Sequence, residues 1–207
     1  LTLSNSGDVA ATSLAGAGLA ALLTFKGGSY PGTGGAGSAS LAASDSCTLN
    51  LTFSPTSVAV STDTLDINYF DGAGSQTAQR ALAGTGVAPA NLSISDGPSY
   101  SFGTVAVGGT ADKTFTISNT GDLLASALSG SGLVAPFTFK GGSYPGVGGS
   151  CGSNLASGST CLIVVNYSPT AAGVHGDTIS ISYNNAITTV TSTRAVDGIA
   201  NTPANLT

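Results

Sequence analysis

The sequence predicts an all-β protein: two tandem antiparallel β-sandwiches, the first lacking its opening strands. Three observations lead there. Apolar and polar residues alternate along short stretches, the period of a strand with one buried face. Clusters of Gly, Asn, Asp and Pro punctuate these stretches, and no segment carries a convincing 3.6-residue helical period. Residues 1–93 return as residues 115–207 at a constant offset of 114, without a gap. A fixed period marks an array of folded units.

The strands follow in order. Leu1-Thr2-Leu3-Ser4 alternates, as does its repeat Phe115-Thr116-Ile117-Ser118. Cys47, Leu49, Leu51 and Phe53 alternate with Thr48, Asn50 and Thr52, an apolar-in, polar-out strand. Its repeat runs Cys161–Tyr167, with Cys161, Ile163, Val165 and Tyr167 on one face. Thr64–Tyr69 and Thr178–Tyr183 repeat the pattern, and further strands are expected at 91–95, 101–107, 134–140 and 187–196. Asp96-Gly97-Pro98, Gly108-Gly109, Asn119-Thr120-Gly121-Asp122 and Asn184-Asn185 supply turns. About seven short strands per unit with Gly-rich turns favour a sandwich.

Fewer than half of the aligned positions are identical, yet one loop barely changes. Phe25-Lys26-Gly27-Gly28-Ser29-Tyr30-Pro31-Gly32 returns as Phe139-Lys140-Gly141-Gly142-Ser143-Tyr144-Pro145-Gly146. The stretches before Pro89-Ala90-Asn91-Leu92 and Pro203-Ala204-Asn205-Leu206 read as connectors. They place a first unit at 1–88, a complete second unit at 89–201, and the start of a further repeat or linker at 202–207. The first unit has nothing matching 90–114, so a sheet edge is expected to lie open. A window on a longer array and a subunit completed by its neighbour's strand both produce this phase.

Composition narrows the function. Only 7% of residues are charged, against about a quarter in an ordinary soluble domain. All acidic residues are Asp, and Met and Trp are absent. Such a surface repels neighbours weakly and suits an assembly. A net charge of −5 without a basic patch makes nucleic acid a poor partner. No apolar run of about 18 residues exists, so no membrane insertion is expected.

Three cysteines speak to compartment. Cys151 and Cys161 flank a short loop, and a disulfide there would stabilise by about 3 kcal/mol on the loop-entropy account. Such a bond points to an oxidising, extracytoplasmic setting. In the first unit Cys47 matches Cys161 but Gly37 replaces Cys151, leaving a thiol that is unpaired or pairs between chains.

Phe102-Gly-Thr-Val-Ala-Val-Gly108, Phe115-Thr-Ile-Ser-Asn-Thr-Gly121 and Tyr167-Ser-Pro-Thr-Ala-Ala-Gly173 together resemble choice-of-anchor D repeats of bacterial surface proteins. Those are similar to the ASPM/SPD-2/hydin-type and major-sperm-protein-like immunoglobulin folds. The resemblance implies immunoglobulin-like sandwiches, a tie between Cys151 and Cys161, and a spacer, structural or adhesive role without catalytic residues. The first unit departs from it at Gly37 and at Ser57-Val58-Ala59.

Catalytic chemistry is poorly stocked. There is no Glu, and the one histidine, His175, sits in Gly-Val-His-Gly, read as a solvated loop. No catalytic residue, metal site or cofactor is expected. Asp8 and Asp122 are expected to close their turns through side-chain oxygens. Lys26 and Lys140 suggest a covalent lysine cross-link assisted by Asp63 or Asp177, against the plainer reading of strand-end lysines reaching solvent. Lys26, Tyr30, Lys140 and Tyr144 form a possible contact loop, toward a neighbouring unit or, alternatively, a surface glycan. The plainest alternative is a rigid loop capping its own sandwich. The expected function is a non-catalytic structural repeat of an extracellular bacterial fibre, sheath or adhesin, with adjacent copies of itself as partners. The alternative is a carbohydrate- or ligand-binding accessory module of a secreted or surface protein.

Overall fold

The computed structural model describes residues 1–206 and divides into two compact units, Leu1–Val87 and the chain from Ala88 on. Thr207, which closes the expected 202–207 segment, lies outside the described residues. Every regular element among the described residues is a strand or bridge.

The first unit holds β1 (Thr2–Ser4), β2 (Ala11–Ala17), β3 (Leu23–Phe25), β4 (Ser40–Leu41), β5 (Ser46–Thr48), β6 (Leu51–Phe53), β7 (Val60–Phe70) and β8 (Ser75–Thr85). One sheet runs in the order β4-β2-β7-β8; β1 pairs with β5, and β3 with β6. The expected strand 47–53 is therefore broken into β5 and β6. Leu49 and Asn50 remain tied in, through Leu49 N–H to Leu1 O (2.8 Å) and Asn50 N–H to Pro31 O (2.9 Å).

The second unit holds β9 (Leu92–Ile94), β10 (Ser99–Ala106), β11 (Ala111–Asn119), β12 (Ala125–Ser131), β13 (Phe137–Phe139), β14 (Asn154–Leu155), β15 (Thr160–Tyr167), β16 (Gly173–Asn184) and β17 (Thr189–Asn201). Two sheets, β10-β17-β16-β12-β14 and β13-β15-β11-β9, make an immunoglobulin-like sandwich. Phe115, Ile117, Phe137, Ile163, Val165, Tyr167, Ile179 and Ile181 are fully enclosed between them. These are the alternating positions of the sequence pattern, so period 2 delivers the core directly.

Three expectations need correction. The sandwich is not wholly antiparallel, because β10 lies parallel to β17 with Ser99 opposite Ala195. The chain leaves the β9 sheet at Asp96-Gly97-Pro98 and continues along the edge of the other sheet. One strand thus switches sheets without reversing. The strand expected at 134–140 begins only at Phe137, since Val134-Ala135-Pro136 turns, with Phe137 N–H bonded to Val134 O (2.9 Å). Ile187 belongs to a turn in which the Asn185 carboxamide accepts from the N–H groups of Ile187 and Thr188 (3.0 and 2.9 Å).

Candidate functional site: the repeated loop, the cysteines and an open groove

The loop 139–149 is held by its own backbone. Gly142 N–H bonds Phe139 O (2.7 Å), Val147 N–H bonds Lys140 O (2.7 Å), and Val164 N–H bonds Pro145 O (2.8 Å). The first unit repeats the set with Gly28 to Phe25 (2.7 Å), Thr33 to Lys26 (2.6 Å) and Asn50 to Pro31 (2.9 Å). Gly146 has φ of 88°, and a Cβ there would lie 2.2 Å from Val164 O; Gly32 has φ of 89° and 2.0 Å to Asn50 O. Only glycine fits at either place. That accounts for the glycine kept at this position in both units.

The tyrosines turn inward. The half-buried Tyr144 ring stands edge-on to Phe139 (5.7 Å between centroids, 89°), with its hydroxyl donating to Gly152 O (3.3 Å). Tyr30 does the same on Phe25 (5.8 Å, 83°) with Ser38 O (3.3 Å). Both rings lie against a glycine: a Cβ on Gly130 would come 2.4 Å from Tyr144, and one on Gly16 3.1 Å from Tyr30 and 2.2 Å from Phe25. Burial raises the pKa of both phenols. Lys140 pairs with Asp112 (2.8 Å), whereas exposed Lys26 has no carboxylate in ion-pair range among the described residues. The Asp177 carboxylate accepts instead from the backbone of Val134 and Thr178 (both 2.7 Å), and Asp63 from Ala20 and Thr64 (both 2.8 Å). The carboxylates expected to assist a lysine cross-link thus accept from backbone amides.

Cys151 and Cys161 are joined in a disulfide with Cα atoms 4.9 Å apart. Cys47 is a buried free thiol whose pKa is raised first by burial. His175 lies within β16, correcting the loop expectation, with Nδ1 2.8 Å from the Tyr167 hydroxyl. The turn expectation is also corrected. The side chains that close those turns are Asn119 and Asn5, whose Oδ1 atoms accept from Gly121 N–H and Gly7 N–H (both 3.1 Å). Asp122 accepts from Ala88 N–H (2.8 Å). Among the described residues no group of three His, Cys, Asp or Glu side chains could hold a metal ion, and no helix is long and apolar enough to cross a membrane.

The feature that residue-by-residue reading missed is a groove in the first unit. Leu3, Asn5, Leu14, Ile67, Tyr69 and Ala78 line a cavity of about 270 Å³, adjoined by a second bounded by Leu1, Leu49, Leu65 and Arg80. The offset of 114 maps Asn5, Tyr69 and Arg80 onto Asn119, Tyr183 and Arg194, which bond the backbone of residues 91–94 in the second unit.

Residues 94–196 match the family model described as HYDIN/CFA65/VesB-like, Ig-like domain. The second unit carries a hydin-like Ig-fold domain. No curated protein matches the chain. Among solved structures, the VesB protease of Vibrio cholerae is similar at 14% identity, over 54% of this chain and 32% of that one (TM-score 0.43). The human CEP192 ASH / PapD-like domain (PapD-like domain 7) is similar at 16% identity, over 56% and 89% (TM-score 0.41). A protein of unknown function from Porphyromonas gingivalis W83 is similar at 12%, over 95% and 87% (TM-score 0.42). The chain therefore spans about a third of the VesB protease.

Proposed function

We propose that this chain is a tandem of immunoglobulin-like repeats of the choice-of-anchor D kind, serving as a structural, non-catalytic module of an extracellular bacterial fibre, sheath or adhesin. The observation that carries the reading is the repetition itself: two units share one loop, with the same internal hydrogen bonds and the same inward tyrosine. Selection on a loop that stiffens its own sandwich suits a part that bears load in series. The disulfide supports an oxidising, extracytoplasmic setting, because such bonds persist there and are rare in the cytosol. The surface, with few charges to repel a neighbour, suits packing against further copies. Sugar stacking on Tyr30 or Tyr144 is the weaker reading, since each ring already packs edge-on against its own Phe. Electron microscopy of the purified protein tests the choice. Regular filaments are expected; dispersed monomers that bind a glycan panel would overturn the structural role.

A further inference from the structure

A further hollow of the first unit lies on the outer face of its four-stranded sheet, away from the core. Thr12, Ser13, Asn68, Phe70, Gln76 and Thr77 line an open cavity of about 390 Å³ there. That volume falls within the ~300–1,000 Å³ of small-ligand sites. In the strand pairing Thr12 lies opposite Phe70, and Asn68 opposite Thr77. The alternation that sends Leu65 and Ile67 into the core sends Asn68 and Phe70 to solvent. Beside them a bulge interrupts β2 between Thr12 and Ala15, with Ser13 at a φ of 54°. Bulges re-aim side chains and recur next to binding sites. The hollow belongs to the three strands that line it. In the second unit β9 joins the other sheet, and β10 pairs with β17 only from Ala195 on, the counterpart of Ala81.

The lining has a definite chemistry. Of seven Phe residues only Phe70, at 40%, is exposed among the described residues. The Thr77 hydroxyl donates to Asn68 Oδ1 (2.7 Å), and Gln76 Nε2 donates to Asp71 Oδ2 (2.9 Å). Each bond fixes a carboxamide by one end. The Asn68 N–H groups and the Gln76 carbonyl make no hydrogen bond among the described residues. No charged side chain lines the hollow, and the Asp71 carboxylate beside Gln76 would repel an anion. A pyranose ring offers a C–H face to an aromatic ring, and a rim of hydroxyls that donate and accept. This lining answers both.

The repeat supplies a control. At the offset of 114, Phe70 becomes Asn184, Asn68 becomes Ser182 and Gln76 becomes Val190. Ser13 becomes Ala127, which keeps the positive φ (53°) and the bulge without a hydroxyl. The fold therefore does not require the ring or the two carboxamides. We propose that this face of the first unit is a binding site for a neutral, pyranose-containing glycan, with Phe70 as the platform and Asn68 and Gln76 as its hydrogen-bonding arms. The site shares no residue with the Tyr30 and Tyr144 loops, and it adds recognition to a structural module.

An array of neutral gluco-, galacto- and manno-oligosaccharides beside sialylated and uronate-containing ones, probed with the full chain, tests it. Neutral glycans should bind in preference to acidic ones. Phe70→Asn, which installs the second unit's own residue, should weaken the best of them at least about tenfold. Gln76→Val, at an exposed position that cannot unfold the unit, should weaken it by a smaller factor, and Tyr144→Ser should leave it unchanged. No binding to any neutral glycan overturns the proposal. So does a preference for acidic glycans, or binding that survives the double variant Phe70→Asn/Gln76→Val. Filament formation should be the same for both variants, so the glycan site and the fibre role fail separately.

Discussion

The two units share a loop and most strand positions, yet they are closed to different degrees. Phe115 is wholly enclosed, whereas Leu1, its counterpart, is 51% exposed. Tyr167 is fully enclosed while Phe53 is only half-buried. The difference traces to β9 and β10. Tyr100 on β10 stands edge-on to Phe115 (5.4 Å), and Phe102 lies against Phe137 and Tyr167 (both 5.7 Å). The counterparts of these rings would stand before Leu1, outside this sequence. An immunoglobulin-like core is therefore completed by its opening strands, and alternation in the remaining strands cannot bury a residue that nothing covers.

That contrast breaks first at the core. Phe115→Ala should cost the second unit about 3–5 kcal/mol through lost packing and the cavity left behind. Leu1→Ala, at the same repeat position, should change the first by under about 0.5 kcal/mol. Two resolved transitions in denaturant unfolding, each followed for both variants, would measure this; equal shifts would show that the opening strands do not govern closure.

The cysteines give the next effect. Replacing Cys151 and Cys161 by Ser should lower the second unit by about 3 kcal/mol. Gly37→Cys should transplant the bond onto Cys47, with the product two hydrogens lighter by mass spectrometry. A Cβ at Gly37 lies 2.8 Å from both Pro31 Cβ and the Tyr30 hydroxyl, so the gain should fall short of the loss in the second unit. Buried and with its thiol pKa raised, Cys47 itself should react slowly with alkylating reagents until the first unit unfolds.

Where the units agree, the effects should agree. Gly146→Ala and Gly32→Ala each force a side chain onto a positive φ and a carbonyl oxygen, at about 2 kcal/mol apiece. Thermal unfolding of the two variants should shift the matching transitions by similar amounts. Unequal shifts would mean that the loop braces only one unit.

Acid gives the smallest effect. Asp112 is held below the ordinary carboxylate range by the Lys140 ammonium and the Asn166 carboxamide, and Asp96 by the Ser95 hydroxyl and then Lys113. In the first unit Asp71 is lowered by the N–H groups of Gly74 and Ala73. A carboxylate whose pKa falls on folding stabilises above its unfolded value, about 3.9, and that contribution disappears as pH drops through the folded value. Unfolding midpoints should drift down below about pH 4, more for the second unit, and Lys140→Ala should flatten part of that drift.

Strand-by-strand alternation made the core readable from Phe115, Ile117, Ile163, Val165, Ile179 and Ile181, because period 2 assigns each of them to the covered face. The cysteine spacing predicted a disulfide, and the structure joins Cys151 to Cys161. Turn side chains were harder. Asn and Asp both close turns, and only the geometry shows Asn119 bridging Gly121, Asn91, Leu123 and Leu155 at once. The direction in which Tyr30 and Tyr144 point was equally hidden, because it depends on Gly16 and Gly130, fourteen positions earlier in the chain.

By itself the sequence determined the strand class and the period of 114, since both are patterns along one dimension. The parallel seating of β10 on β17 and the inward tyrosines were decided only by tertiary structure. Each depends on residues far apart in the chain meeting in space, and no local pattern records those meetings.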